Sequence, residues 1–292
     1  MEGHAQAPGA GTVLNALASG RGSAFAIDVY TTAVVTLETE GDGAVRGRIA
    51  EDPEADTRLI ERCVEIACAE AGRPDLGGRV RTESAVPMAA GLKSSSAAAN
   101  ATVLATFDAL SVPVADDGTA EITRTEAARL GVQAARETGV AVTGAFDDAS
   151  ASMLGGVTVT DNEHDDLLRH DTVDWDVLVW TPPERAYSAD ADLDRCRRIA
   201  PVADFVCETA LDGRYADAMT VNGFAFCAAL GFSADPLVEA LPDARGVSLS
   251  GTGPSVTAVG EREALEAVAA TWDNREGETW LTTTQTDGAR AT

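Results

Sequence analysis

Pro87-Met88-Ala89-Ala90-Gly91-Leu92-Lys93-Ser94-Ser95-Ser96-Ala97-Ala98-Ala99 joins a glycine and serine turn to a small-residue helix, and it holds the single lysine of a 292-residue chain. The other 21 of the 22 lysine-plus-arginine positions are arginine, so one ammonium has been kept beside a row of hydroxyls. The first turn of a helix leaves backbone N–H groups unpaired, and with the helix dipole they form an anion site. Gly91 lets the backbone turn and come close to a ligand, Ser94 to Ser96 offer capping or metal-facing oxygens, and the alanines let the helix pack tightly. Phosphate is the anion expected here; an ordinary serine-capped helix is the alternative.

Outward from this turn, the composition narrows the function classes. A net charge of −25, from 47 acidic against 22 basic residues, argues against a nucleic-acid partner, which demands a basic face. The acidity is spread along the chain and coincides with loss of lysine and 5% aromatic content, which reads as adaptation to a salty solvent. Cys63, Cys68, Cys196, Cys207 and Cys227 form no C-x-x-C pair, and His4, His164 and His170 complete no zinc set. Buried reduced thiols and a cytoplasmic setting follow. Met1 to Ala10 lacks the order of a signal peptide, and no run nears about 18 apolar residues, so no membrane partner is expected.

Strand and helix signals alternate. Thr12 to Leu37 reads as strand, loop and strand, broken at Ser19-Gly20-Arg21-Gly22, and Thr57 to Ala71 has a helical apolar stripe. The alternation Val80, Thr82, Ser84, Val86 marks a strand feeding the serine turn, after which a helix runs from Ser95 to Leu110 with Leu104, Phe107 and Leu110 inward. Thr123-Arg124-Thr125-Glu126 is a capping box for a helix reaching Glu137 and ended by Gly139. Strands are expected at Gly156 to Thr160, Trp175 to Trp180, Val247 to Ser250 and Val256 to Val259, helices within Ala203 to Leu241 and Glu261 to Trp272, and a frayed last dozen residues. Asp161 to Asp174 reads as an acidic link, which sets domains at 1–160 and 161–292.

Three separated segments together resemble one family. Pro87 to Ala99 is similar to the phosphate-loop signature of the GHMP kinases, Ser248-Leu249-Ser250-Gly251-Thr252-Gly253-Pro254-Ser255 to their C-terminal glycine motif, and Gly144-Ala145-Phe146-Asp147-Asp148-Ala149 lies where they carry a catalytic aspartate. Lys93 departs from the family's Gly-Leu-Gly. That departure, with Ser19-Gly20-Arg21-Gly22-Ser23-Ala24-Phe25-Ala26-Ile27-Asp28, resembles the archaeal shikimate kinases of GHMP type, and halophilic archaea fit the acidic composition. A Walker A loop is excluded because Leu92 stands between Gly91 and Lys93.

The resemblance implies an α+β GHMP fold: an N-terminal domain resembling ribosomal protein S5 domain 2, a ferredoxin-like C-terminal domain, and a cleft between them. It implies transfer of phosphate from ATP with Mg2+ to shikimate. Pro87, Ala90, Gly91, Leu92, Lys93, Ser94, Ser95, Ser96 and Ala97 would hold the nucleotide, with Ser95 at the metal and Lys93 reaching the phosphates or pointing to solvent. Asp147 would orient or deprotonate the acceptor hydroxyl, while Asp148 would act as a cap or face solvent. Arg21 would pair with the acceptor carboxylate or act on Asp147, Asp28 would accept a ring hydroxyl, and Gly251, Thr252 and Gly253 would close the site or form only a tight turn. A homoserine or mevalonate type of kinase, or a non-catalytic metabolite sensor, are the competing functions.

Overall fold

The computed structural model describes residues 1–39, 43–141, 145–184 and 191–292. The longest strands come first, β1 (Glu2–Leu14) and β2 (Arg21–Glu38), paired antiparallel from Glu2↔Thr36 to Leu14↔Ser23. The strand begins ten residues before the Thr12 expected from the sequence, because Ala5, Ala7 and Ala10 alternate small apolar residues into the core without the branched side chains that usually signal a strand. Then follow β3 (Val45–Ile49), α1 (Arg58–Glu70), β4 (Gly77–Ser84), α2 (Ser94–Ala109), α3 (Arg124–Thr138), α4 (Phe146–Leu154), β5 (Val157–Asp161) and β6 (Asp166–Asp171).

One flank of β2 serves two partners. Its first part, Arg21–Phe25, pairs with β5 and its last, Thr31–Glu38, with β4, so the sheet forks between them. Residues 166–171, expected inside a link, form β6 against β5, and the boundary expected after residue 160 falls within β5. The charged alternation of β6, exposed at every second residue, hid a strand that lies on the sheet's edge.

α2 lies across this sheet beneath α1, α3 and α4, and it is buried nearly all round, from Ala97 and Ala99 to Phe107 and Ala109. Its alanines permit that: a Cβ on Gly3 of β1 would lie 2.2 Å from the Ala105 carbonyl, so helix and strand backbones nearly touch. Inside, Phe107 is fully buried, a burial worth about 2–3 kcal/mol. Asn100 Nδ2 donates to the Ala149 carbonyl at 2.9 Å, fixing α4 to α2.

The second layer starts at β7 (Asp176–Thr181) and continues through α5 (Leu193–Arg197), α6 (Ala200–Leu211), α7 (Tyr215–Leu230), α8 (Asp235–Ala240), β8 (Gly246–Leu249), β9 (Val256–Gly260), α9 (Arg262–Trp272) and β10 (Glu278–Thr283). Its sheet has the order β10-β7-β9-β8, antiparallel throughout, which is the ferredoxin-like arrangement. The chain end does not fray. β11 (Arg290–Ala291) returns to pair with β1, Ala289 is buried, and the Arg124 guanidinium donates to the carbonyls of Met153, Asp287 and Ala289. The threonine-rich sequence gave no apolar signal for this return because backbone carbonyls, caught by one arginine, hold it.

Candidate active site

The phosphate loop is built by alternation. Ala89, Gly91 and Lys93 have φ of +52°, +82° and +66°, each separated by one residue of ordinary hand. Such alternation turns successive N–H groups to one side and makes an anion-binding concavity. The opposite side is closed: the Ala90 carbonyl accepts from Ser255 N–H at 3.3 Å, Gly91 O from Ser250 Oγ at 2.9 Å and Leu92 O from Ala10 N–H at 3.1 Å. The N–H groups of Gly91 to Ser95 have no protein acceptor among the described residues. A left-handed conformation costs a residue with a Cβ about 1–2 kcal/mol, and Ala89 and Lys93 both bear it.

Lys93 is the N-cap residue of α2, and no side chain caps that helix. Its ammonium turns inward, 8% exposed, to Asp148 Oδ1 at 2.9 Å, and Asp148 is 15% exposed. The expectation that Asp148 caps a turn or faces solvent is therefore corrected: two carboxylates adjacent in sequence both turn inward, because α4 starts at Phe146 and places them in its first turn. α4 was not foreseen, and Gly144, quoted for its motif, lies outside the described residues. Its N-cap, Ala145, is again left-handed at φ +54° with no side-chain cap.

Asp147 is 4% exposed. Asn162 holds it twice, Nδ2 donating to Oδ1 at 2.7 Å and Oδ1 accepting from the Asp147 N–H at 3.2 Å, while Thr160 Oγ1 donates to that Asn162 oxygen at 2.7 Å. Burial, and then the Asp148 charge beside it, push the Asp147 carboxyl up to about 7, against the pull of the Lys93 ammonium and the Asn162 hydrogen bond. Gly22 makes the room: a Cβ there would lie 2.4 Å from Asp147 Oδ2. Asn162, Thr160 and Gly22 were missed as site residues; a glycine inside a strand pattern was the available signal for Gly22.

Loop and carboxylates line one cavity of about 370 Å³, together with Gly251 and Thr252 from the second layer. Ser94 and Ser95 also line it, and Met88, Leu59 and Ile60 add apolar side chains to its wall. Of the remaining residues expected at the nucleotide, Ala90, Leu92 and Ala97 are buried behind the loop. Pro87 and Ser96 flank it without lining the cavity, and Gly253 closes the turn through its N–H to Ser250 O at 2.9 Å. Arg21 and Asp28 are not brought in. The Arg21 guanidinium lies 3.6 Å from Glu208 on α6, and Asp28 is exposed on β2. No described helix is long and apolar enough to cross a membrane.

Such a site, with unpaired N–H groups, one ammonium and a carboxylate poised near neutrality, can hold a polyphosphate and take a proton from an acceptor. Comparison with known proteins bears on which. Residues 58–156 match the GHMP kinases N terminal domain. The chain is 61% identical to a shikimate kinase of Halobacterium salinarum over all of both chains, and 47% identical to one of Methanosarcina mazei, covering 99% of this chain and 96% of the other. In fold it resembles the homoserine kinase of Cytophaga hutchinsonii, with a TM-score of 0.76 and 16% identity over 100% of this chain and 97% of that one.

Proposed function

The chain belongs to the archaeal shikimate kinases of the GHMP superfamily, and from that premise we propose that it transfers the γ-phosphoryl group of ATP to shikimate, forming shikimate 3-phosphate. The observation that carries the reading is the convergence of an alternating-hand N–H loop and a buried carboxyl near neutral pKa on one cavity.

The acceptor oxygen attacks the γ-phosphorus, the bond from that phosphorus to the β,γ-bridging oxygen breaks, and ADP leaves with the electron pair. Asp147 accepts the acceptor's hydroxyl proton on its carboxylate. Asn162 and Gly22 fix that carboxylate's rotamer, one by hydrogen bonds and one by the space it leaves. The N–H groups of Gly91 to Ser95 and the start of α2 take the phosphate charge, and the Lys93 ammonium, already at the cavity wall, adds a positive charge. Magnesium fits the donor chemistry, since Ser94, Ser95 and the nearby carboxylates offer only hard oxygens; Ser95 would hold it, and it would supply charge neutralisation across the phosphates.

Arg21 remains the candidate for the acceptor carboxylate, because its ion pair to Glu208 is exposed on both sides and such pairs contribute little. Asp28, further out on β2, is the candidate for a ring hydroxyl. Five buried free thiols support a reducing, cytoplasmic setting. ADP release measured with shikimate, homoserine and mevalonate tests the whole reading. Turnover with shikimate alone is expected; turnover only with homoserine or mevalonate would replace the substrate, and ligand binding with no ADP release would make the protein a sensor.

A further inference from the structure

Three segments distant in sequence meet at Gly251. Its N–H donates to Thr12 Oγ1 at 2.7 Å, and its carbonyl accepts from Asn15 Nδ2 at 2.8 Å. Thr12 and Asn15, at the end of β1, are 1% and 6% exposed. Gly251 has φ +57°, and a Cβ on it would lie 2.9 Å from Lys93 Nζ and 3.1 Å from Gly91 O. The Gly251 backbone is thus a wall against the ammonium whose other side meets Asp148. Asn15 is itself anchored, its N–H donating to Asn222 Oδ1 at 3.0 Å and its Oδ1 accepting from Leu17 N–H at 2.9 Å. Asn222 in turn donates to Ser248 Oγ at 3.0 Å, so the anchor reaches β8.

We propose that Asn15 is a positioning residue which, by pinning the Gly251 peptide from β1, holds the wall that sizes the Lys93 chamber for an ammonium. A guanidinium, wider and planar, would press on that wall where the compact ammonium does not. That accounts for one lysine surviving in a chain that uses arginine at its 21 other such positions. The nucleotide readout below rests on the kinase reading; the labelling readout does not.

A single lysine makes the test specific. Reductive methylation with 13C-formaldehyde labels only Lys93 and the Met1 amine, and the Met1 signal serves as the internal reference. In Asn15→Ala, Lys93 labelling is expected to quicken about tenfold, the factor corresponding to one buried hydrogen bond, with Met1 unchanged. The KM for ATP is expected to rise by about tenfold while that for shikimate stays within about twofold. Asn15→Asp keeps the acceptor for Leu17 N–H but has no donor for Gly251 O, so it is expected to match alanine. Unchanged Lys93 labelling in Asn15→Ala, or rescue by Asn15→Asp, overturns the proposal. Should Asn15→Ala fail to fold, Thr12→Val removes the acceptor of Gly251 N–H and carries the same expectations. If the unaltered protein shows no ATP turnover, the kinase reading fails while the labelling result still decides the role of Asn15.

Discussion

Helix α3 and helices α2 and α4 begin in opposite ways. At α3, Thr123 Oγ1 accepts from Glu126 N–H at 3.1 Å and the Glu126 carboxylate accepts from Thr123 N–H at 2.7 Å, a complete capping box. α2 and α4 start from Lys93 and Ala145, both left-handed and neither providing a side-chain cap. α3 closes its N-terminus with its own side chains, whereas α2 and α4 reach the cavity without a side-chain cap at their N-cap residues, and at α4 the Asp147 N–H is taken by Asn162 from the β5–β6 turn. Two positive helix ends facing one cavity, with Asp147 and Asp148 in the first turn of one of them, are arranged for anions and acid–base work.

The comparison breaks most visibly at the α4 end. Asp147→Asn should lower turnover by about 10²–10⁴-fold, the usual contribution of a positioned base, while nucleotide binding followed by calorimetry persists. Loss through Asp148→Asn with Asp147→Asn tolerated would move the proton acceptor by one residue. Asp147 also sets a pH signature. Its folded carboxyl lies near 7 and its unfolded one near the ordinary carboxylate value of 3.8, so the folded state binds the extra proton between them. Stability from this group is full below the unfolded value and lost as pH rises through about 7, while activity needing the free carboxylate rises through the same window. Denaturant midpoints and kcat/KM across pH should therefore move in opposite directions, and Asp148→Asn, which removes the neighbouring charge, should shift the activity midpoint down.

At the α2 end, Lys93→Met leaves the inward Asp148 carboxylate unpaired. Breaking one side of a buried pair costs about 3–5 kcal/mol, which urea denaturation would register, and ATP affinity should fall with it. A variant as stable as the parent would mean that Asp148 finds water or another donor. Restoring stability with the double change Lys93→Met, Asp148→Leu would show that the pair serves binding more than folding.

The asymmetry also explains what could be read from the sequence. Thr123 and Glu126 announce their helix because capping is local: donor and acceptor lie three residues apart. The phosphate loop was legible because its glycine, lysine and serines are contiguous. By contrast α4 has no capping residue, and its start is defined by a left-handed Ala145 held by the surrounding structure. The partners that prepare Asp147 come from β2 and from the β5–β6 turn, so Gly22 and Asn162 gain meaning only when the sheet brings them together. Arg21, legible as a motif residue, turns toward α6, a contact that local sequence does not encode.

The smallest expected effect is at the closed end and is the sharpest control. Thr123→Ala removes one side-chain acceptor from the N-terminus of α3, a loss worth about 1 kcal/mol of stability. Because no residue of α3 lines the cavity and the helix reaches it through its packing on α1, α2 and α4, kcat and both KM values should be unchanged when measured well below the melting temperature. If instead turnover falls in step with stability, α3 transmits its end geometry to α4, and the contrast between the closed end of α3 and the ends at the cavity fails. A stability loss without a kinetic one keeps it, since it would show that the ends facing the cavity are set by the loops before them and by Asn100, which joins α2 to α4 at 2.9 Å.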